Sequence, residues 1–271
     1  MNDILKIMED LARRAGRIQM ERLGHAHKIE YKGSINLVTE VDHECEELIV
    51  SGIQKNFPGD DFLAEEGTVG HPPLHPLPSR EGKKSKWIID PLDGTVNYAH
   101  GFPFFCVSIA LERDGELAAG VIYDPNRDEL FAAEKGRGAT MNGAHIRVSA
   151  APILKQSLLA TGFAYHDYNA GSNEPVANFD NFENFVRRSR AVRRPGSAAT
   201  DLAWAACGRI DGFWELYLKP WDMAAGAVII REAGGSVTAF DGGPFDLYGD
   251  EILASNGRIH DEMIEVLKAK R

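Results

Sequence analysis

The chain of 271 residues is 44% hydrophobic and 26% charged, the balance of an ordinary globular protein, which excludes a disordered or fibrous one. Forty acids against thirty bases leave a formal net charge of -10, which argues against a general nucleic-acid binder. A phosphate-binding role would then need cations or helix ends to supply local positive charge.

Cys45, Cys106 and Cys207 lie far apart with no CxxC pair, which excludes a disulfide framework or a zinc ribbon. No secretory segment opens the sequence, and no apolar run approaches the roughly 18 residues of a membrane span. The expectation is a cytoplasmic protein without a membrane anchor.

In chain order, Ile4, Leu5, Ile7, Met8, Leu11, Ala15 and Ile18 share one face of a predicted first helix. Thr39 and Asp42 resemble a capping box, so a second helix is expected from there. Its apolar stripe is Val41, Cys45, Leu48, Ile49 and Ile53. Strands follow at 62–66 and 87–90, then a meander from Phe104 to about Val148 with a hairpin turn at Asp114-Gly115. Contiguous strands after two helices indicate an α+β fold with an antiparallel or mixed sheet, not a doubly wound series.

After Ala151-Pro152 the short strands SLLAT, AVRR, GFWEL, GSVTAF and ILAS alternate with helical segments near 176–189, 198–207, 222–233 and 258–269. The organisation expected is two halves, 1–150 and 151–271. Residues 67–86 and 165–175, rich in Pro, Gly and polar side chains, read as mobile loops.

Three motifs take ordinary readings. Asp124-x-Asn126-x-Asp128 imitates a calcium loop but carries Glu129 where Gly is needed and Lys135 where Glu is needed, so it reads as a β-turn. Gly136-x-Gly138 lacks the third glycine and the following helix of a dinucleotide loop. His71 and His75 stand among prolines that forbid the helix needed to align them as ligands.

The carboxylates are less ordinary. In WIIDPLDGTVN (87–97) an apolar strand ends in Asp90, Pro91 stiffens the exit, Asp93 follows three residues on, and Gly94 permits a tight turn before Thr95. Two carboxylates converging on one point repel unless a cation lies between them, and oxygen ligands of this kind suit Mg²⁺. The same residues also read as an Asx-type turn. Glu65-Glu66 close another strand, and Asp222 opens an apolar helix, where it could be a simple N-cap. Taken together, four acids at three strand or helix ends suit a multi-metal hydrolytic site.

These residues resemble the inositol monophosphatase family of Mg²⁺-dependent, lithium-sensitive phosphatases. The resemblance rests on WIIDPLDGTVNY at 87–98 and WDMAAGAVIIREAGG at 221–235. LVTEVD at 37–42, AEEG at 64–67 and RRPGSAATDLA at 193–203 support it, so that it spans nearly the whole chain. It implies a layered α/β/α/β/α sandwich and two or three Mg²⁺. Glu65, Asp90 and the Leu92 carbonyl would hold the first ion, where water is activated. Asp90, Asp93 and Asp222 would hold a second, and Glu65 would share a loosely bound third.

By the same resemblance, Thr95 and Asp42 would orient the attacking water, and residues 92–95, with the amides of Gly94 and Thr95, would cradle the phosphate. Arg193, Gly196, Ser197, Ala198 and Glu215 would line the polyol pocket. The activity implied is hydrolysis of a small phosphorylated polyol, most of all myo-inositol 1-phosphate, by a homodimer. Fructose-1,6-bisphosphatase, histidinol-phosphate phosphatase and nucleotide 3′-phosphatase activities occur among such relatives, as does a regulatory role in transcription antitermination. Asn36, where the pattern has Asp, and a longer Pro-rich stretch after Glu66 depart from the family. By the resemblance, Lys32-Gly33-Ser34 would lie on a loop that in members of that family can close over the metals.

Overall fold

The apolar stripe of the first segment forms α1 (Asn2–Arg22), which buries Met8, Leu11, Ala12 and Ala15. The second stripe forms α2 (Glu40–Asn56), capped as its sequence predicts. The Thr39 hydroxyl accepts from Val41 N at 3.2 Å, and the Asp42 carboxylate accepts from Thr39 N at 2.8 Å. The computed structural model describes residues 2–24, 29–32, 36–67, 85–163 and 176–269. Most of the Pro-rich stretch, the expected loop at 165–175, Gly33, Ser34, His71 and His75 lie outside these residues.

A seven-stranded sheet contains β3 (Asp61–Ala64), β4 (Ser85–Asp93), β5 (Cys106–Arg113), β6 (Glu116–Asp124), β7 (Glu129–Glu134), β8 (Ala139–Met141) and β9 (Ala144–His145), ordered as in the chain. Only β3 and β4 are parallel within it, so the sheet is mixed. The β5–β6 turn takes left-handed conformations at Asp114 (φ 53) and Gly115 (φ 81), the backbone that an Asp-Gly hairpin supplies. At the β6–β7 turn Asp124 Oδ1 accepts from Asn126 N at 2.9 Å, an Asx turn and no calcium loop.

The five-stranded sheet runs β11 (Ala191–Arg193), β10 (Leu158–Thr161), β12 (Gly212–Leu216), β14 (Glu251–Ser255) and β13 (Ser236–Thr238). Its helices are α4 (Val176–Arg188), α5 (Ala198–Ala206), α6 (Pro220–Glu232) and α7 (His260–Lys268).

Strand alternation distributes the core into layers. Trp87 and Ile89 face α1 and α2, whereas Ile88 between them faces α5 and α6. The other side of α5 and α6 packs on Ala160, Phe213 and Ile252 of the second sheet. That sheet's far face, through Leu159, Trp214 and Leu253, meets Phe185 of α4 and Met263 of α7. The order is helices, sheet, helices, sheet, helices.

Several short elements are absent from the sequence-based reading, three of them before or beside the acidic cluster. A short antiparallel pair, β1 (Ile29–Lys32) with β2 (Asn36–Thr39), precedes α2, and α3 (Thr95–Ala99) follows β4. Four-residue strands and a five-residue helix are too short to show a period.

Candidate active site

Residues three apart on a regular strand point to opposite faces. The pairing of β4 with β5 shifts register between Asp90 and Asp93, and this irregularity lets both carboxylates serve one side. Asp222, from the first turn of α6, joins them: one ligand oxygen from each of the three lies within 4.8 Å of the others. Asp222 is not the N-cap, which is Lys219; it stands at the third helical position and accepts from Lys219 N at 2.6 Å.

The chain leaves the cluster through Gly94 at φ 96, where a Cβ would come within 2.9 Å of the Phe104 carbonyl oxygen. Glycine is therefore required both for the left-handed turn and for the close approach. Asp93 is fixed from the other half of the chain. Its Oδ2 accepts from Ser197 Oγ at 2.6 Å and from Ala199 N at 2.7 Å, so the start of α5 holds the carboxylate in place.

The bare cluster is electrostatically unfavourable. Burial, then the charges of Glu65, Asp93 and Asp222, lift Asp90 well above the ordinary carboxylate range. Burial first, then Asp93, pushes Asp222 to about 7. Burial also raises Asp93, against the bonds it accepts. Three oxygen donors crowded in this way, with no lysine or arginine side chain hydrogen-bonded to them among the described residues, fit a hard divalent cation such as Mg²⁺.

Beside the cluster, Thr95 Oγ1 lies 3.1 Å from both Asp42 Oδ1 and the Leu92 carbonyl oxygen. Its single proton can go to only one of them at a time. Asp42 is fully buried, and burial raises it despite the hydrogen bonds from Thr39 and Thr95. The pair is thus a hydroxyl backed by a carboxylate with an enhanced proton affinity.

One cleft of about 670 Å³ gathers most of the residues expected to form the site. Glu65, Asp90, Leu92, Asp93, Gly94 and Thr95 line one part, and Gly196, Ser197, Ala198, Glu215 and Asp222 line the rest. Glu65 stands outside the tight triad, though its charge bears on Asp90. Asp42 acts on the cleft through Thr95. Arg193 is the exception: it is exposed at the end of β11, and its Nη1 donates to the Val192 carbonyl at 3.2 Å.

The arginine at the cleft wall is Arg194, which directly follows the strand. Asp201 and Tyr217 also line the cleft and were missed in the sequence. Asp201 lies in the RRPGSAATDLA segment, so a carboxylate one turn into a helix that starts at the site was the available signal. Tyr217 carries φ 65, which no sequence pattern announces for a tyrosine.

Known proteins place this geometry. The inositol monophosphatase family matches residues 1–270. A relative from Synechocystis named inositol-1-monophosphatase is 43% identical over 270 residues, 98% of this chain and 88% of that protein. A Pseudomonas aeruginosa protein named Nus factor SuhB is 39% identical over 275 residues, 99% of this chain and 97% of its own length. The solved inositol monophosphatase of Anabaena (Nostoc) superposes with a TM-score of 0.85 at 40% identity, over 98% of this chain and 95% of that one. With its layered fold, its acidic cluster and a family match from end to end, the chain belongs to the inositol monophosphatase family.

Proposed function

We propose that this protein hydrolyses the phosphate monoester of a small polyol, myo-inositol 1-phosphate first, with two or three Mg²⁺. The observation that carries the reading is the convergence of Asp90, Asp93 and Asp222 beside the Thr95–Asp42 pair, in a cleft whose wall also bears Glu215. Asp90, Asp93 and Asp222, with Glu65 and the Leu92 carbonyl, would hold the ions. When bound, Mg²⁺ supplies the positive charge that a phosphate dianion and its attacking water require.

The chain's own groups do the rest. The Thr95 hydroxyl orients the water, and as it takes up the water's proton its own can pass to Asp42 Oδ1, whose affinity for a proton is raised by burial. Thr95 opens α3, so its amide has no acceptor within that helix and can donate to a phosphate oxygen beside Gly94. Glu215, with Gly196, Ser197 and Ala198, receives the polyol, and Arg194 takes the place at the wall first expected of Arg193. Residues 1–150 supply most metal ligands in this scheme, and residues 151–271 supply the polyol pocket with Asp222.

We extend the reading to a cytoplasmic homodimer inhibited by lithium, on the strength of family membership. Among the described residues no helix is long and apolar enough to cross a membrane. Light scattering on the purified protein tests the dimer, and Li⁺ titration tests the inhibition.

The decisive assay is phosphate release with Mg²⁺ and with EDTA, from inositol 1-phosphate, fructose 1,6-bisphosphate, histidinol phosphate and adenosine 3′,5′-bisphosphate. Mg²⁺-dependent turnover of the inositol ester, lost in Asp93→Asn, is expected. Turnover of another ester keeps the chemistry and changes the substrate, while silence across the panel defeats the assignment. A second reading, a role in transcription, is favoured by the likeness to the relative named Nus factor SuhB. If Asp93→Asn restores a deletion phenotype while lacking hydrolysis, that second reading holds.

A further inference from the structure

Asp201 is 1% exposed, yet its Oδ1 has no hydrogen-bond partner among the described residues. Its backbone is ordinary helix, with its N–H donating to the Ser197 carbonyl at 3.0 Å. The side chain is the anomaly. Buried carboxyl oxygens are nearly always partnered, because leaving them dry forfeits their hydration with no return.

Its surroundings give a reason for its presence. Asp201 lines the active-site cleft together with Glu215 and Arg194. Glu215 is itself buried, and it lies so close to Gly162 that a Cβ there would collide with both of its carboxylate oxygens. The charge of Glu215 acts on Asp201, those of Asp222 and Asp93 act on Glu215, and Arg194 partly offsets the repulsion at each. The pair would be costly in an empty protein, and nothing among the described residues offers Asp201 Oδ1 a donor. A ligand bearing several hydroxyl groups would do so, since a carboxyl oxygen accepts from a hydroxyl and two carboxyls can engage two of them.

We infer that Asp201 is a specificity-determining residue that accepts a hydrogen bond from a hydroxyl of the polyol, alongside Glu215. The inference rests on the polyol-phosphate reading and deepens it. Asp201 is remote in sequence from the acids expected to hold metal, and it touches the leaving group rather than the phosphate. Its loss therefore weakens recognition of the polyol more than phosphoryl chemistry. Two carboxyls that both demand donors also disfavour leaving groups without hydroxyls, because binding such a group leaves both dry.

The test compares kcat and KM for myo-inositol 1-phosphate and for p-nitrophenyl phosphate, whose leaving group presents no ring hydroxyls. Wild type, Asp201→Ala and Asp201→Asn are measured with Mg²⁺, and each is melted in EDTA. The preference for the inositol ester should fall about tenfold or more in Asp201→Ala, mainly through KM, with partial recovery in Asp201→Asn, whose amide oxygen still accepts. The melting temperature of Asp201→Ala should equal or exceed that of wild type, since no protein hydrogen bond is lost.

Equal losses on both esters, or an unchanged preference with a lower melting temperature, would overturn the inference and leave Asp201 a structural residue. Should Asp201→Ala fail to fold, Asp201→Asn alone decides by the same ratio. A wild type that shows no preference for any polyol ester over p-nitrophenyl phosphate overturns the substrate reading, and this inference with it.

Discussion

Strand β4 contains two buried regions of opposite character. Trp87, Ile88 and Ile89 are apolar and at most 1% exposed, and each meets a core on its own side of the sheet. Asp90 and Asp93, at 2% and 9%, are also buried but ionisable. The first stretch stabilises the fold through burial, roughly 1.5–3 kcal/mol for a fully buried large apolar side chain. The second costs stability in the absence of a cation, because burial raises both carboxyls and the neighbouring carboxylates raise Asp90 further. Adjacent residues of one strand thus show that low exposure has no fixed energetic sign; what decides it is whether the neighbours match the buried group.

The largest test of this contrast is Asp90→Asn. Activity should fall on the order of a thousandfold or more, since a shared metal ligand is lost. Melting in EDTA should rise, because one member of a repelling group is neutralised. A lower melting temperature in EDTA would show that the cluster is not strained.

Trp87→Ala should do the reverse, with a loss of about 3–5 kcal/mol by urea unfolding. The indole packs on Phe57 at 5.4 Å between ring centroids, and its Nε1 donates to Asp60 at 2.8 Å. A loss under about 1 kcal/mol would mean that this core collapses around the gap.

Gly94→Ala sits at the junction of the two regions. The left-handed backbone alone costs about 1–2 kcal/mol for a residue with a Cβ, and the approach to Phe104 adds to it. A fall in both stability and kcat is expected; unchanged kinetics would argue against a role for this turn in holding phosphate.

The smallest effect is one of pH. Asp222 is pushed up to about 7 in the bare fold, so the folded metal-free protein holds a proton that the unfolded chain releases near pH 4. That contribution is complete below about pH 4 and is lost as pH rises toward 7. Mg²⁺ competes with the same protons. The gain in melting temperature on adding Mg²⁺ should therefore widen from pH 5 to pH 7.5, and a flat gain would contradict the assigned ligands.

Most of the architecture was legible locally. Apolar periods marked α1 and α2, Asp114-Gly115 marked a hairpin, and alternating strands and helices marked the second sheet. The acids at 90, 93 and 222 stood out because strand and helix ends are where side chains can converge. Arg193 was misplaced by one residue because the choice between it and Arg194 depends on how the chain turns from β11 to the φ 93 of Gly196. Asp201 looked like any acid in the first turn of a helix, where it favours the dipole, and only packing reveals that its carboxyl is buried without a partner.

Propensity, capping and period are local properties of the chain, and they set which of the longer segments become helix or strand and which residue types carry the chemistry. Tertiary structure alone decided that Asp222 meets Asp90 and Asp93 within 4.8 Å, that α5 clamps Asp93, and that Asp201 and Glu215 share one cleft. The first two of those contacts join residues more than a hundred positions apart. Their free energies depend on distance and dielectric, which exist only after the layers have packed.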